Sequence, residues 1–523
     1  MNILKKYEQA LKLYRAKKFN AALKIVKEVE KAAPHWKKSF LLEIFIRRDQ
    51  WEHIKELALL EKFLPRLDCN SADDKDLAAD AFNCFGSVNR SLGRTADSVK
   101  AFCLSASLSD DNKKACEEIS NALFAASSAE NYSAADFQKL YDEYKKYLSD
   151  IKPYPKKFYR HEKIRVGFLS SCFQWHVVMS WGWHLVSGLD KNLFKVYCYS
   201  NVKTPDKVTN YFRSSVDVWR DIYNLTDAAT AELIRADEID ILFELDGHTV
   251  DNRLRIAAYR PATVQISGIG YMNSTGLDCF DYFLSDIYCA GDESYFTEKL
   301  IKLPHSHFCY EPPTKIEPAA YPPCIKNNFV TFGSFNQFGK MTDSVFITWQ
   351  KILDAVPNSL LILKHQIFSN DDGRNFVRER LKSFGFDIKR VEMRPYTENH
   401  IVEYNDVDIA LDTFPYTGGV TTCEALYMGV PVISLYGNRH GTRFGLSILK
   451  NVGLDELAVD SPDEYINRAV ALVSDWELLT ILRKNLRTMM KKSPLMDAKN
   501  YVREVGEAFV KILSDTRRTG NER

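Results

Sequence analysis

A glycine pair and a threonine pair, placed between two apolar runs, are the residues of this sequence best suited to chemistry. Gly418-Gly419 follows the apolar residues 407–411, and Thr421-Thr422 comes just after it. Glycines let the backbone approach a ligand closely, and threonine offers a hydroxyl and a backbone N–H group as donors. If Thr421 opens a helix, the N-terminus of that helix attracts phosphate. The stretch therefore predicts a phosphate site.

The same residues allow a simpler interpretation. Thr421 and Glu424 have the spacing of a capping box, in which the two side chains only close the start of a helix. Glycines that follow a strand are also common as plain turns. The local pattern leaves both interpretations open.

Two histidines are further candidates for chemistry. His176 ends the loop SSCFQWH after an apolar strand, and His248 lies in DGHT after another. A single histidine after a strand is more often a structural hydrogen-bonding group than a catalyst. Two histidines at the same predicted edge of one sheet make a catalytic or binding function nearly as well supported as a structural one.

The elements that must position these residues are strands alternating with helices. Residues 407–411 and 430–435 read as strands on either side of a short helix that runs from Thr421 to Gly429. Such a βαβ unit forces the two strands to pair in parallel, and ligands of such sheets bind beyond the carboxyl ends of the strands. Further strands are predicted at 164–169, 194–199, 239–245, 264–267, 329–332 and 360–363.

Two linkers divide the chain. A stiff basic segment at 152–157 precedes the first predicted strand, and a stretch with five prolines spans 311–328. We therefore predict two doubly wound α/β domains in tandem, at 160–315 and 327–515, with ligand edges that face one cleft.

Residues 1–150 read as an all-helical domain rich in Ala, Leu, Lys and Glu. Ala10, Ala22 and Val26 have the spacing of small and bulky residues in a tetratricopeptide unit, and Gly86, Ser98 and Phe102 repeat that spacing. The alternative is an ordinary amphipathic bundle. Under either interpretation the domain is a packing or partner-binding module.

Composition excludes several functions. With 523 residues the chain is too long for one core, and its net charge of +1 gives no bulk attraction to nucleic acid. No run of about 18 apolar residues predicts a membrane span, so we expect a cytoplasmic protein. Eleven cysteines are scattered without a CxxC pair or zinc-type spacing, which predicts reduced, mostly buried thiols and no metal site.

Several stretches taken together resemble the O-GlcNAc transferase family in its bacterial form. They occur in order over much of the chain, after the helical lead-in SNALF at 120–124. They are SSCFQWH (170–176), LDGHTVDNRLRIAAYRPATVQISGIGY (245–271), TGLDCFDYFLSD (275–286), FGSFNQFGK (332–340), LDTFPYTGGVTTCEALYMGVPV (411–432) and GTRFG (441–445).

The resemblance implies a GT-B fold, in which two Rossmann-like domains flank a cleft. It also implies inverting transfer of a sugar from a UDP donor to Ser or Thr of a protein, without a metal or other cofactor. The negative charge of the diphosphate would then be stabilised by a lysine and by helix N-termini. By position, the resemblance implies Gln337 and Lys340 at the diphosphate, His400 near uracil, Thr421 and Thr422 at phosphate, Glu424 at the ribose, and His176 at the sugar and acceptor end.

Three departures from the family pattern concern the sugar. Met272-Asn273 replaces a proline-glycine pair, Val420 stands where some members have histidine, and Glu403 stands where arginine is frequent. UDP-GlcNAc is the expected donor, and the helical domain is expected to bind part of the protein acceptor. The alternatives are a cytoplasmic protein N-glucosyltransferase that places glucose on Asn and a nucleotide-binding scaffold without turnover.

Overall fold

Eight helices at the start of the described chain pack as successive hairpins. The computed structural model describes residues 3–313 and 315–521, so residues 1, 2 and 314, which fall within the predicted domains, lie outside the described residues. The helices are α1 (Ile3–Arg15), α2 (Phe19–Ala32), α3 (Lys37–Asp49), α4 (His53–Phe63), α5 (Ala72–Ser91), α6 (Thr95–Leu108), α7 (Asn112–Ala126) and α8 (Ala134–Lys146).

Small residues let these helices approach one another. Ala10, Ala22 and Val26 are fully buried in one cluster. The ring of Phe102 lies over Gly86, where an added Cβ would be 2.8 Å from the ring. Ser98 Oγ donates to the Gly86 carbonyl at 2.7 Å. These contacts have the small-against-bulky arrangement that the tetratricopeptide-like interpretation requires, and that interpretation stays a prediction.

The first α/β domain is built on a seven-stranded, entirely parallel sheet in the order β3-β2-β1-β4-β5-β6-β7. The predicted strands are present, and β3, β6 and β7 were not predicted. The elements are β1 (Ile164–Ser170), α9 (Met179–Gly188), β2 (Phe194–Ser200), α10 (Lys207–Ser215), β3 (Val218–Asp221), α11 (Asp227–Ala236), β4 (Ile241–Glu244), α12 (Leu254–Ala258), β5 (Val264–Ser267), β6 (Tyr282–Asp286) and β7 (Lys299–Leu303).

The second α/β domain has a six-stranded parallel sheet in the order β10-β9-β8-β11-β12-β13. Its elements are α13 (Cys324–Asn327), β8 (Val330–Ser334), α14 (Asp343–Ala355), β9 (Ser359–Lys364), α15 (Asp371–Ser383), β10 (Val391–Arg394), β11 (Ile409–Leu411), α16 (Val420–Tyr427), β12 (Val432–Leu435), α17 (Phe444–Val452), β13 (Ala458–Val459), α18 (Pro462–Val473), α19 (Trp476–Lys492) and α20 (Ala498–Asn521). The predicted fold class, two doubly wound domains after a helical domain, is confirmed.

The last helix, α20, crosses back to the first α/β domain. Val502 packs on Gly188, and the ring of Phe509 meets Phe194 edge-on at 6.4 Å. Arg517 Nη2 donates to the carbonyl of Tyr159 at 2.8 Å. The range 327–515 is therefore continuous in sequence, but its final helix packs as part of the other domain. Among the helices of the described residues, none combines the length and apolar character that a membrane crossing requires.

The helical domain packs tightly against the first α/β domain at Gly276. This glycine has φ +68°, and an added Cβ would lie 2.0 Å from the ring of Tyr141 in α8. Tyr141 is buried, and its hydroxyl donates to the Ser274 carbonyl at 3.3 Å. The junction therefore has the density of a core rather than of a flexible linker.

We expect Gly276→Ala to destabilise the whole chain. The left-handed backbone costs about 1–2 kcal/mol with a Cβ present, and the clash with Tyr141 adds about 1–3 kcal/mol of overpacking. Gly385→Ala is the matched control, because Gly385 has φ +90° and nothing within 4 Å of the added Cβ. Chemical unfolding of the two variants measures the difference. Equal losses of unfolding free energy would show that the junction is loosely packed.

Candidate active site

A buried aspartate, Asp412, organises the end of β11. One carboxylate oxygen accepts from Gly418 N at 2.6 Å and Thr413 N at 2.9 Å, and the other accepts from Ser434 Oγ at 2.7 Å. Burial raises the pKa of Asp412, while these hydrogen bonds and the nearby charge of Lys340 oppose the rise. The carboxylate thus fixes the glycine turn against β12, directly at the carboxyl end of the sheet.

The glycine turn leaves the start of α16 without a side-chain cap. Gly419 is the N-cap residue, and neither Thr421 nor Glu424 closes the helix, so the capping-box interpretation is wrong. Gly418 has no room for a side chain, because an added Cβ would be 2.5 Å from Thr422 Oγ1. The half-buried Thr421 hydroxyl donates to Asn336 Oδ1 at 3.1 Å. The helix N-terminus is therefore available to an anion.

Lys340 stands beside this turn, in the loop that follows β8. Its half-buried ammonium donates to the Thr417 carbonyl at 3.2 Å and lies 3.5 Å from the centre of the Tyr416 ring. Loss of water around the amine lowers the pKa of Lys340 to about 8, against the opposing charge of Asp412. Lys340, Thr421 and the uncapped helix start thus lie at one edge of the sheet.

Gln337, in the same loop, is exposed. Its Oε1 accepts from Nε2 of His365 at 2.9 Å.

His400 and Glu424 form a pair on the far side of α16. His400 Nε2 is 3.1 Å from Glu424 Oε2; the imidazole is half-buried and the carboxylate is buried. The neighbouring Tyr404 stacks on Phe335 with ring centres 4.3 Å apart. Two residues that the resemblance places at uracil and ribose are therefore in direct contact.

The two predicted histidines of the first α/β domain have different environments. His176 is exposed in the loop after β1, and its Nδ1 accepts from Val178 N at 3.3 Å. The imidazole ring is partly shielded from water although the residue is exposed, and this shielding lowers the pKa of His176, with the charge of Asp246 opposing.

His248 is buried, and both its ring nitrogens are occupied. Ser120 Oγ lies 2.9 Å from Nδ1, and Nε2 donates to the Thr275 carbonyl at 2.8 Å. Burial lowers the pKa of His248 to about 4. This histidine joins α7 to the α/β domain, and its hydrogen bonds involve none of the other predicted site residues.

The ligand edges of the two sheets face each other. The ring of Trp181, in the helix after His176, lies 3.4 Å from the Cβ position of Gly419. On the other side of the turn, Met272 packs on Gly441 and its carbonyl accepts from His440 Nδ1 at 3.2 Å. The ligand edges of the two domains therefore meet at the glycine turn, as the predicted single cleft requires.

Asp412 and Tyr416 are the site residues that the sequence interpretation missed. An aspartate placed directly after an apolar strand was the available signal for Asp412. For Tyr416, the neighbouring sequence gives no indication that its ring lies against Lys340. Among the described residues, the one group of three His, Cys, Asp or Glu side chains with metal-ligand spacing is Cys289, His307 and His440, which contains none of these site residues.

Comparison with known proteins gives a consistent result. The family model described as Glycosyl transferase family 41 matches residues 145–313 and 321–505. A probable UDP-N-acetylglucosamine–peptide N-acetylglucosaminyltransferase SPINDLY from Solanum lycopersicum is 38% identical over 382 residues, which cover 71% of this chain and 40% of that protein. The corresponding SEC protein from Arabidopsis thaliana is 28% identical over 370 residues, which cover 67% of this chain and 37% of that protein. The chain thus spans less than half the length of these relatives.

A solved structure of a mutant O-GlcNAc transferase from Thermobaculum terrenum has a TM-score of 0.86 and 27% identity, and the match covers 99% of this chain and 98% of that chain. The match extends over the helical domain and both sheets, so the fold is of the GT-B type. The family model covers more than half of the sequence, and its two segments contain every site residue described above. The chain belongs to glycosyl transferase family 41, and the resemblance to the O-GlcNAc transferase family is confirmed.

Proposed function

We propose that the protein transfers GlcNAc from UDP-GlcNAc to Ser or Thr hydroxyls of a protein acceptor, with inversion at the anomeric carbon. The observation that carries the proposal is the position of Lys340 beside an uncapped helix start at the edge of the cleft. The names of the relatives support UDP-GlcNAc as donor and a peptide as acceptor.

The reaction is a direct displacement. The acceptor oxygen forms a bond to the anomeric carbon while the bond from that carbon to the β-phosphate oxygen breaks, and UDP leaves with the electron pair. Negative charge therefore grows on the β-phosphate in the transition state. Lys340 and the first N–H groups of α16 are fixed donors for that charge, so we propose that the step needs no metal. The proton of the acceptor hydroxyl passes to a phosphate oxygen of the departing UDP.

His176 serves as a hydrogen-bond donor in this proposal. Its Nδ1 accepts from the backbone N–H of Val178, so the neutral ring carries its proton on Nε2. The lowered pKa favours the neutral form of the ring. Nε2–H can then donate to an oxygen of the sugar or the acceptor, which orients the reactants without removing a proton.

The helical domain is the proposed binding surface for part of the acceptor. An open groove of about 710 Å³ lies where this domain meets the second α/β domain. Its walls include Gly93, Arg94 and Glu130 on one side and Asp343 and Arg380 on the other. Side chains of both signs of charge line this groove, which suits an extended polypeptide that carries polar and charged groups.

The experiment that tests the function uses the full chain with a cell extract as the source of acceptor. UDP-GlcNAc, UDP-glucose and a GDP-hexose are supplied separately, and nucleotide release and modified peptides are followed by mass spectrometry. The proposal expects N-acetylhexosamine on Ser or Thr with UDP-GlcNAc only. Hexose on Asn from UDP-glucose would support the N-glucosyltransferase. Transfer from the GDP-hexose would show that the donor is a GDP-sugar and not UDP-GlcNAc. Nucleotide binding without release from any donor would support the scaffold.

We expect Lys340→Met to lower turnover by about 10²–10³, because one preorganised donor to the departing charge is lost. Unfolding of the ligand-free protein should change little, since methionine keeps the length of the side chain and removes a poorly hydrated charge. Lys351→Met, at an exposed lysine of α14, is the matched control and should keep full activity. A folded Lys340→Met protein with turnover within about threefold of wild type would remove Lys340 from the mechanism.

The pH dependence tests the same lysine. Because its lowered pKa is about 8, the charged form of Lys340 is lost as pH rises through 8 in the free enzyme. The value of kcat/KM for the donor, which reports free-enzyme groups, should therefore fall above about pH 8. The neighbouring Tyr416, whose pKa burial raises, stays neutral in this range.

Lys340→Arg keeps its charge at every pH used. It should have lower kcat/KM but no fall between pH 7.5 and 9.5. The same fall in this variant would assign the transition to another group.

A further inference from the structure

A cysteine and two histidines meet in the interior, where the two α/β domains join. Cys289 follows β6, His307 follows β7, and His440 lies after β12 in the other domain. One ligand atom from each residue lies within 4.8 Å of the other two, and all three side chains are buried, with exposures of 0%, 1% and 1%. These residues are far apart in sequence, which is why no zinc-type spacing is visible there.

Both imidazoles are already oriented for a metal. Asp286 Oδ2 accepts from His307 Nδ1 at 2.5 Å, and the Met272 carbonyl accepts from His440 Nδ1 at 3.2 Å. In each ring Nε2 is therefore the nitrogen left with a free lone pair. Partners of this kind, a carboxylate and a backbone carbonyl on the second ring nitrogen, are those that hold metal-binding histidines in proteins.

His440 gives independent evidence for a missing ligand. Its Nε2 is buried and has no hydrogen-bond partner among the described residues. An unpaired buried polar atom costs about 1–3 kcal/mol, so native structures rarely leave one. The unpaired nitrogen belongs to the same ring that shares the cluster with Cys289 and His307.

The spacing of the rings also suits one ion. The ring centres of His307 and His440 are 5.0 Å apart, with planes at 54°. Two imidazoles bound to one tetrahedral metal at about 2.0–2.1 Å from each nitrogen have centres about 5 Å apart. The cysteine sulfur already lies within 4.8 Å of a nitrogen of each ring, and its thiol donates to the Arg443 carbonyl at 3.4 Å, a contact that metal binding would replace.

We propose that Cys289, His307 and His440 bind one Zn²⁺ that joins the two α/β domains. A thiolate and two imidazoles are preferred zinc ligands, and a water molecule completes four-coordination. The charges balance locally, because the single negative charges of the thiolate and of the Asp286 carboxylate together equal the double positive charge of Zn²⁺. On binding, the thiol proton leaves to solvent and the sulfur takes the metal in its place. The site is structural and does not depend on the proposed transfer reaction.

The test begins with metal content and Co²⁺ as a spectroscopic substitute. The full chain, stripped with a chelator, is titrated with Zn²⁺ or Co²⁺ alone. We expect about one ion per chain, with the visible bands of tetrahedral Co²⁺ and a near-ultraviolet thiolate-to-cobalt band. Cys289→Ser should lose the thiolate band, and both Cys289→Ser and His440→Gln should bind at least tenfold more weakly.

Two matched variants serve as controls. Cys309→Ser removes another buried cysteine, and His305→Gln removes a half-buried histidine of the same segment. Both should bind metal as wild type does, and so should Lys340→Met. Zn²⁺ should raise the unfolding temperature of wild type and controls but not of Cys289→Ser.

A third measurement does not depend on variants that fold. X-ray absorption at the zinc edge of the wild-type protein should give one sulfur near 2.3 Å and two imidazole nitrogens near 2.0–2.1 Å. Absence of stoichiometric metal in the wild type, a sulfur-free first coordination sphere, or an unchanged thiolate band in Cys289→Ser would overturn the proposal.

Discussion

One buried carboxylate determines the shape of the nucleotide edge. Asp412 must be satisfied where water cannot reach it, and the groups that satisfy it come from the glycine turn and from Ser434 on β12. A side chain at Gly445 would come within 3.0 Å of Asp412 Oδ2, so α17 also packs closely on it. The turn, the start of α16 and the start of α17 are therefore fixed by the same requirement, that a buried charge be hydrogen-bonded.

The same carboxylate explains why a lysine is stable beside the turn. The chain has a net charge of only +1, so attraction to a diphosphate must be built from a few groups. Lys340 has lost water and rests on the face of Tyr416, where a cation is attracted by the ring. The charge of Asp412 partly offsets the cost of removing water from the ammonium. An ammonium held in this way acts more strongly on a ligand than one in bulk water.

Local patterns predicted much of the fold, and contacts between distant segments account for what they missed. Apolar runs and glycine turns located the core strands and the turn at Gly418, because those signals lie within a few residues. The capping box at Thr421 was a local pattern that tertiary contacts overrode, since Glu424 pairs with His400 instead. The packing of α20 on the first α/β domain and the contact of Cys289 with His440 depend on residues far apart in sequence. The periodicity of apolar residues within one segment cannot predict them.

The domains are held together at many points, and this bears on how the cleft could work. Arg439 reaches the Ala129 carbonyl of the helical domain at 2.7 Å, and Asp292 N donates to the Asn438 carbonyl at 2.8 Å. Together with α20, these contacts join all three domains around one cleft. Donors in such a frame need little reorganisation when charge develops, which is the condition under which electrostatic stabilisation of a departing diphosphate is most effective. A closed interdomain frame is therefore part of the proposed chemistry and not only a scaffold for it.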